Sequence, residues 1–217
     1  MDLEALDAVA KLVAERNAVD AQIGAITGRP VVAGHLGEWI AAQVFDIDLE
    51  QSATAKAIDG HFSAGPLAGR TVNVKLYGKR EGLLDIVDDP TVDYYLVLTG
   101  PRSVGDGSRR GARPITIDAV YLFEASPLLD VLRTRGVTIG IATSVIGRLW
   151  DAAEIFPTQT NVAMPLSAEQ RAALLLFSGP RLLGLPDSIK AGTSPGALTD
   201  ALDEMRGERT KRRRIGS

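Results

Sequence analysis

The positions of apolar residues near the start of the chain repeat with the period of a helix. The spacing predicts a single helix over residues 2–27, with one face buried and its end marked by Gly28 and Pro30. The apolar positions that predict this buried face are Leu3, Leu6, Ala10 and Val13.

Further along, helical periodicity alternates several times with the two-residue periodicity of strands. Strands are predicted over residues 57–62, 70–77, 93–99, 115–123 and 137–141. Further helices are predicted over residues 35–45, 126–135, 144–153, 167–177 and 195–206. Residues 102–114 are rich in Gly and Arg, lack periodicity and are expected to form a loop. This order of elements predicts an α/β fold, a mixed sheet flanked by helices.

Composition sets the broad class of the protein. The chain has 217 residues, of which 45% are hydrophobic and 24% charged, enough for one α/β domain over residues 1–207. Residues 208–217 are expected to be a disordered basic tail. The absence of cysteine excludes disulfides, thiolate metal sites and Cys nucleophiles. Without a long apolar run or a signal-like start, we expect a cytoplasmic protein with no membrane partner.

One predicted hairpin carries the residues of greatest chemical interest. If the chain turns near Pro66, antiparallel pairing places Asp59 opposite Asn73. Strand alternation then puts Asp59, Asn73 and Lys75 on one face. The core would lie on the other face, beneath Val72, Val74 and Leu76. A slip of one residue would reverse these faces, so the register decides whether the three polar side chains meet.

A glutamate upstream adds a second carboxylate. Glu38 lies on the predicted helix 35–45, beside the small residues Ala41 and Ala42, on a face that can pack closely on a sheet. A carboxylate in such a place is costly unless it is paired or bound to a cation. Mg²⁺ or Mn²⁺ would remove that cost, because such ions take oxygen ligands from one or two carboxylates and waters.

These residue types suit the hydrolysis of a phosphodiester. A divalent cation polarises the phosphate and lowers the pKa of the attacking water. Asp59 would be its main ligand, with the Asn73 amide oxygen, the Val74 carbonyl and Glu38 as further ligands. Lys75 would lie near the negative charge that develops in the transition state.

The arrangement Glu38, Asp59, Asn73-x-Lys75 resembles the PD-(D/E)xK nuclease superfamily, which has the restriction-endonuclease-like fold, over roughly residues 30–125. The resemblance implies a Mg²⁺-dependent endonuclease, with DNA rather than RNA as the expected substrate. Glu38 matches the acid on the helix, Asp59 the first strand acid and Lys75 the lysine, whereas Asn73 replaces the usual Asp or Glu and removes a negative charge. Three strings also resemble an uncharacterised bacterial family: residues 34–40, 81–86 and 94–99.

Simpler interpretations remain open for the same residues. Asp59 with Gly60 is typical of a tight turn, and Asn73 with Lys75 is typical of the solvated face of an edge strand. Glu38 can equally pair with Lys75 or with an arginine. The corresponding alternative function is a catalytically decayed nuclease-fold module that binds nucleic acid or a protein partner. A homodimer built on helices 2–27 and 167–177 is a third possibility.

Five further residues are candidates for contact with nucleic acid. They are His61, Lys79, Arg80, Arg109 and Arg110. Each also has a structural alternative: a hydrogen-bonded histidine, a charged loop, or the tip of a hairpin. The net charge of −3 is unlike the basic balance of most nucleic-acid binders, so only a local basic patch would serve.

Overall fold

The computed structural model of the chain describes residues 3–50, 57–102 and 115–179. Its helices are α1 (Leu3–Thr27), α2 (Ala33–Phe45), α3 (Ala125–Thr134), α4 (Gly147–Ala153) and α5 (Ala168–Leu175). Its strands are β1 (Ile47–Leu49), β2 (Gly60–Phe62), β3 (Thr71–Tyr77), β4 (Leu83–Leu84), β5 (Tyr94–Thr99), β6 (Ala119–Glu124), β7 (Thr143–Ser144) and β8 (Glu154–Phe156). The predicted α/β class with a mixed sheet and helices is therefore confirmed.

Six of these strands form one sheet in the order β1-β2-β3-β5-β6-β8. Strands β3 and β5 are parallel, and the other neighbouring pairs are antiparallel. Strands β4 and β7 form a separate two-stranded ribbon. Because β3 has a partner on each side, it is an interior strand, and the interpretation of its polar residues as an edge is wrong.

The β2–β3 hairpin has the predicted register. Gly60 pairs with Val72, and His61 pairs with Thr71. The same register, extended by one residue, places Asp59 opposite Asn73. The turn that sets it contains a short 3₁₀ segment, Gly65–Leu67.

Both faces of β3 are covered, which differs from the single core predicted. On one face α2 packs against Leu76, so closely that a Cβ on Gly37 would come within 2.7 Å of the Leu76 Cβ atom. On the other face a cluster that includes Tyr95, Tyr121 and Trp150 lies against α3 and α4. Asn73, expected on an open polar face, is only 4% exposed.

The buried face predicted for the first helix is not found where its side chains are described. All the residues from 9 to 19, Ala10 among them, are exposed. Val13 is 50% exposed. Leu12 is 63% exposed, and Ile26, near the end of α1, is 73% exposed. The helical spacing of apolar residues predicted the helix correctly, but no described element covers this part of it.

Other differences concern short strands. The strand predicted over residues 137–141 is irregular chain, and the strands predicted from 57 and 115 begin only at Gly60 and Ala119. Segments of two or three residues, such as β4 and β8, are too short to show an alternation. Ser167 and Gln170 form a capping box at the start of α5.

The described part of the chain belongs to one compact unit, Met1–Gly179. The predicted loop over residues 102–114 lies outside the described residues except for Arg102, and the helix 195–206, the domain boundary at 207 and the basic tail lie outside them entirely. None of the helices that the structure describes is both long and apolar enough to span a bilayer.

Candidate functional site

The candidate site lies where strand β2 begins and the chain before it separates from β3. The Asp59 amide still donates to the Val72 carbonyl at 2.9 Å, as a strand residue would. The next contact with β3 is made by the Asp59 side chain, whose Oδ2 accepts a hydrogen bond from the Val74 amide at 2.7 Å. A carboxylate oxygen therefore replaces the main-chain acceptor that a longer β2 would supply.

Asn73 ties the same segment to β3 from the opposite direction. Its Nδ2 donates to the Ala57 carbonyl at 2.9 Å. Its Oδ1 is buried and has no hydrogen-bond partner among the described residues. A buried carbonyl oxygen without a donor costs about 1–3 kcal/mol, so a bound water or cation at this oxygen would stabilise the protein.

Glu38 forms an ion pair that the sequence predicts only in general terms. The Arg29 Nη1 lies 2.5 Å from the Glu38 Oε2, and the two side chains are 32% and 20% exposed. Arg29 follows Gly28, whose positive φ of 70° turns the chain between α1 and α2. Of the two pairings predicted for Glu38, the structure has the one with an arginine.

Three charged side chains, those of Glu38, Lys75 and Arg29, act on the Asp59 carboxyl. Burial is the main influence and raises the pKa of the Asp59 carboxyl, while the hydrogen bond from the Val74 amide opposes it. The negative charge of Glu38 raises this pKa further, and the positive charges of Lys75 and Arg29 lower it. The net result is a raised pKa, which means that burial disfavours the charged form of the Asp59 carboxyl.

Lys75 follows Asn73 by two residues on β3 and is partly buried. Alternation along the strand puts both side chains on the same face of the sheet, and Lys75 pairs in register with Val97 of β5. In an extended strand the amide and the carbonyl of one residue point to the same side, so the Val74 carbonyl points toward Asp59 as the Val74 amide does.

His61 lies beside the site in a pair of its own. Its Nδ1 is 3.2 Å from the Glu50 Oε1. The Glu50 amide in turn donates to the Asp59 carbonyl at 2.9 Å. The histidine is therefore held next to the candidate carboxylate by the edge strand of the sheet.

The remaining predicted contact residues have structural partners or lie outside the description. Lys79 forms an ion pair with Glu81. The Arg80 guanidinium lies 5.2 Å from the ring centres of both Tyr121 and Trp150, and its side chain is only 8% exposed. Arg109 and Arg110 lie outside the described residues.

Two neighbours of Asp59, Arg29 and Glu50, are not among the residues that the sequence predicts for the site. Arg29 stands between Gly28 and Pro30, a combination that indicates only the end of a helix. Glu50 follows β1, a strand of three residues whose presence the pattern does not reveal. The sequence could have indicated Glu50 only as an acidic residue that comes shortly before the predicted hairpin.

The oxygen ligands at this site are sparse but of the right kind for Mg²⁺. Within residues 3–50, 57–102 and 115–179, no group of three or more His, Cys, Asp or Glu side chains could hold a metal ion. Mg²⁺ is commonly held by one or two carboxylates, with waters and phosphate oxygens completing the shell. The two carboxylates of Asp59 and Glu38 fit that minimum, together with the Asn73 Oδ1, which has no hydrogen-bond partner in the part of the chain that the structure describes.

Comparison of the chain with protein-family models gave no match, and a search of curated proteins found no similar sequence.

Proposed function

We propose that the protein is a Mg²⁺- or Mn²⁺-dependent nuclease of the PD-(D/E)xK type that hydrolyses phosphodiester bonds in DNA. The observation that carries the proposal is the Asp59 carboxylate, which lies where β2 and β3 separate and is influenced by Glu38 and Lys75. A partly buried carboxylate with a second acid and a lysine nearby is the combination that such hydrolysis needs. The mixed sheet flanked by helices is compatible with the restriction-endonuclease-like fold.

Each residue has a defined task in this proposal. Asp59 and Glu38 supply carboxylate oxygens to the divalent cation, which would activate water and polarise the phosphate when bound. Asp59 has its Oδ2 fixed by the Val74 amide, so its other oxygen is held in a defined direction. Lys75 places a positive charge where the oxygens of the phosphate gain negative charge.

Asn73 has a mainly structural task, to which it adds one neutral ligand. Its Nδ2 fixes the chain before Asp59 through the Ala57 carbonyl, and its Oδ1 remains to accept from a bound water or contact the cation. Contact with the DNA backbone falls to His61, Lys79, Arg109 and Arg110. The Arg80 guanidinium lies against the Tyr121 and Trp150 rings, and the Arg80 side chain is only 8% exposed.

A second candidate function is a nuclease-fold module without activity that binds nucleic acid or a protein. The hydrogen bond from Asn73 to Ala57 favours it, because the residue that replaces the usual acid is committed to holding the fold. The pairing of Glu38 with Arg29 favours it as well, because one of the two carboxylates already has a counter-ion.

A calorimetric titration with Mn²⁺, run beside a cleavage assay on plasmid and oligonucleotide DNA, separates the two functions. The test variant is Asp59→Asn, which keeps an acceptor for the Val74 amide. The matched control is Asp48→Asn, which removes an exposed acid from the neighbouring strand β1. Loss of Mn²⁺ binding and of cleavage in the first variant alone supports the nuclease. Mn²⁺ binding without cleavage of any DNA favours the inactive module, and a wild-type protein that does not bind Mn²⁺ contradicts the metal site.

A further inference from the structure

The charges around Asp59 cancel before any metal binds. Glu38 and Asp59 contribute two negative charges, and Arg29 and Lys75 contribute two positive charges. A site of this kind attracts a free divalent cation only weakly, because Glu38 already has a counter-ion and the charges of Lys75 and Arg29 also act on Asp59. Asn73 strengthens the effect, because its neutral side chain adds no negative charge to the site.

Arg29 is the part of this balance that can be exchanged. Its guanidinium joins Glu38 through one nitrogen, Nη1, at 2.5 Å, and 32% of its side chain is exposed. It lies on the link between α1 and α2, so its long side chain can turn away without moving either helix. Guanidinium groups also bind phosphate well, because their planar donors match two phosphate oxygens at once.

We propose that Arg29 is an exchangeable counter-ion: it occupies Glu38 in the metal-free protein, is displaced when a divalent cation binds, and then pairs with the backbone phosphate of the nucleic acid. This inference rests on the proposed function, because it assigns the order of events at the same site. Metal and nucleic acid then strengthen each other, since the phosphate takes up the guanidinium that the metal displaces. The strengthening is reciprocal: each ligand raises the affinity for the other by the same factor.

The first test compares the Mn²⁺ affinity of wild type, Arg29→Gln and Arg29→Lys by calorimetry without nucleic acid. Arg29→Gln removes the competing charge, so we expect Mn²⁺ to bind about threefold to tenfold more tightly than in wild type. Arg29→Lys keeps the charge and is expected to bind Mn²⁺ close to the wild-type affinity. The matched control is Arg16→Gln, which removes an equal charge from an ion pair on the exposed surface of α1 and should change nothing.

The second test measures binding of a short DNA duplex with and without Ca²⁺, with the integrity of the strands checked afterwards. In wild type we expect Ca²⁺ to raise DNA affinity by about tenfold. In Arg29→Gln this gain should fall to about a third or less, although the variant binds the metal better. A residue that only holds α2 in place would not change the two affinities in opposite directions.

The outcomes separate the inference from the function on which it rests. If Arg29→Gln binds Mn²⁺ as wild type does, or more weakly, Arg29 does not compete with the metal, and the inference fails while the nuclease proposal stands. If DNA affinity in Ca²⁺ is unchanged by Arg29→Gln, the phosphate contact is wrong. If neither wild type nor Arg29→Gln binds Mn²⁺, the metal site itself is wrong. A thermal melt of each variant establishes that it is folded, and Arg29→Met, which also removes the charge, takes the place of Arg29→Gln if that variant is not folded.

Discussion

The Asp59 side chain and the Val74 amide form a hydrogen bond of 2.7 Å that takes the place of a strand pairing. The same carboxylate is the principal ligand of the proposed metal site. Asp59 therefore serves the fold and the proposed chemistry together, and the two can be measured apart.

Asp59→Ala is expected to lower the free energy of unfolding by about 1–3 kcal/mol, because it leaves the Val74 amide without an acceptor. Asp59→Asn keeps an oxygen at that place and should lower it by less than about 1 kcal/mol. Both variants should lose Mn²⁺ binding and cleavage. Urea unfolding of the two metal-free variants gives the comparison, and equal losses of stability would show that the hydrogen bond does not matter.

Gly37→Ala is expected to move α2 and, with it, Glu38. The new Cβ would lie 2.7 Å from the Leu76 Cβ atom, so the helix must shift away from β3. We expect a loss of about 1–3 kcal/mol in stability, and weaker Mn²⁺ binding as Glu38 moves away from Asp59.

The chain contains a control for this substitution on the same helix. A Cβ on Gly34 meets no atom within 4 Å, so Gly34→Ala should raise stability by about 0.5–1 kcal/mol through the better helix propensity of alanine. Chemical denaturation of both variants checks the pair. A Gly37→Ala variant as stable as Gly34→Ala would contradict the close contact between α2 and Leu76.

Asn73→Asp is expected to make stability depend on metal. The new carboxylate would face the Ala57 carbonyl, which now accepts from the Asn73 Nδ2, so without metal the variant should lose about 1–3 kcal/mol. Bound Mn²⁺ would neutralise the added charge and should raise the melting temperature more than it does in wild type. Melting curves with and without Mn²⁺ give the answer, and an equal metal effect in both proteins would exclude position 73 from the site.

Asp93 makes part of the stability sensitive to acid. Burial alone would raise the pKa of its carboxyl, but hydrogen bonds from the Thr71 amide and hydroxyl, with the charge of Arg70, outweigh burial and lower it. A carboxyl whose pKa is lower in the folded protein contributes stability above its unfolded value, here 3.8, and that contribution is lost as pH falls through the folded value.

We therefore expect wild type to lose stability more steeply below about pH 4 than Asp93→Asn does. Asp130→Asn, at a carboxyl 71% exposed on α3, should follow wild type. Unfolding midpoints from neutral pH to pH 2.5 are the measurement. Parallel acid curves for wild type and Asp93→Asn would contradict the role of the Thr71 contacts.

Much of the hairpin could be predicted from the sequence, because its information is local. The alternation from Thr71 to Tyr77 and the nearby turn residues determine both strand and register. The burial of Asn73 could not be predicted, since it depends on β5 lying beside β3, a parallel contact made through a crossover. Arg80 is a similar case: the rings that it lies against belong to Tyr121 and Trp150, far along the chain.

The position of β3 between β2 and β5 also bears on the order in which the site and the sheet form during folding. The hairpin contact of Asp59 with Val74 joins residues 15 apart in the chain, whereas Val72 of β3 and Tyr94 of β5 are 22 apart, and shorter loops close at a lower entropic cost. Gly37 of α2 and Leu76 of β3 are 39 residues apart, so the packing of α2 on β3 is less local than the hairpin. The hairpin that carries Asp59 can therefore form early in folding, and α2 with Glu38 and the crossover strand β5 then pack on a register that it has already set.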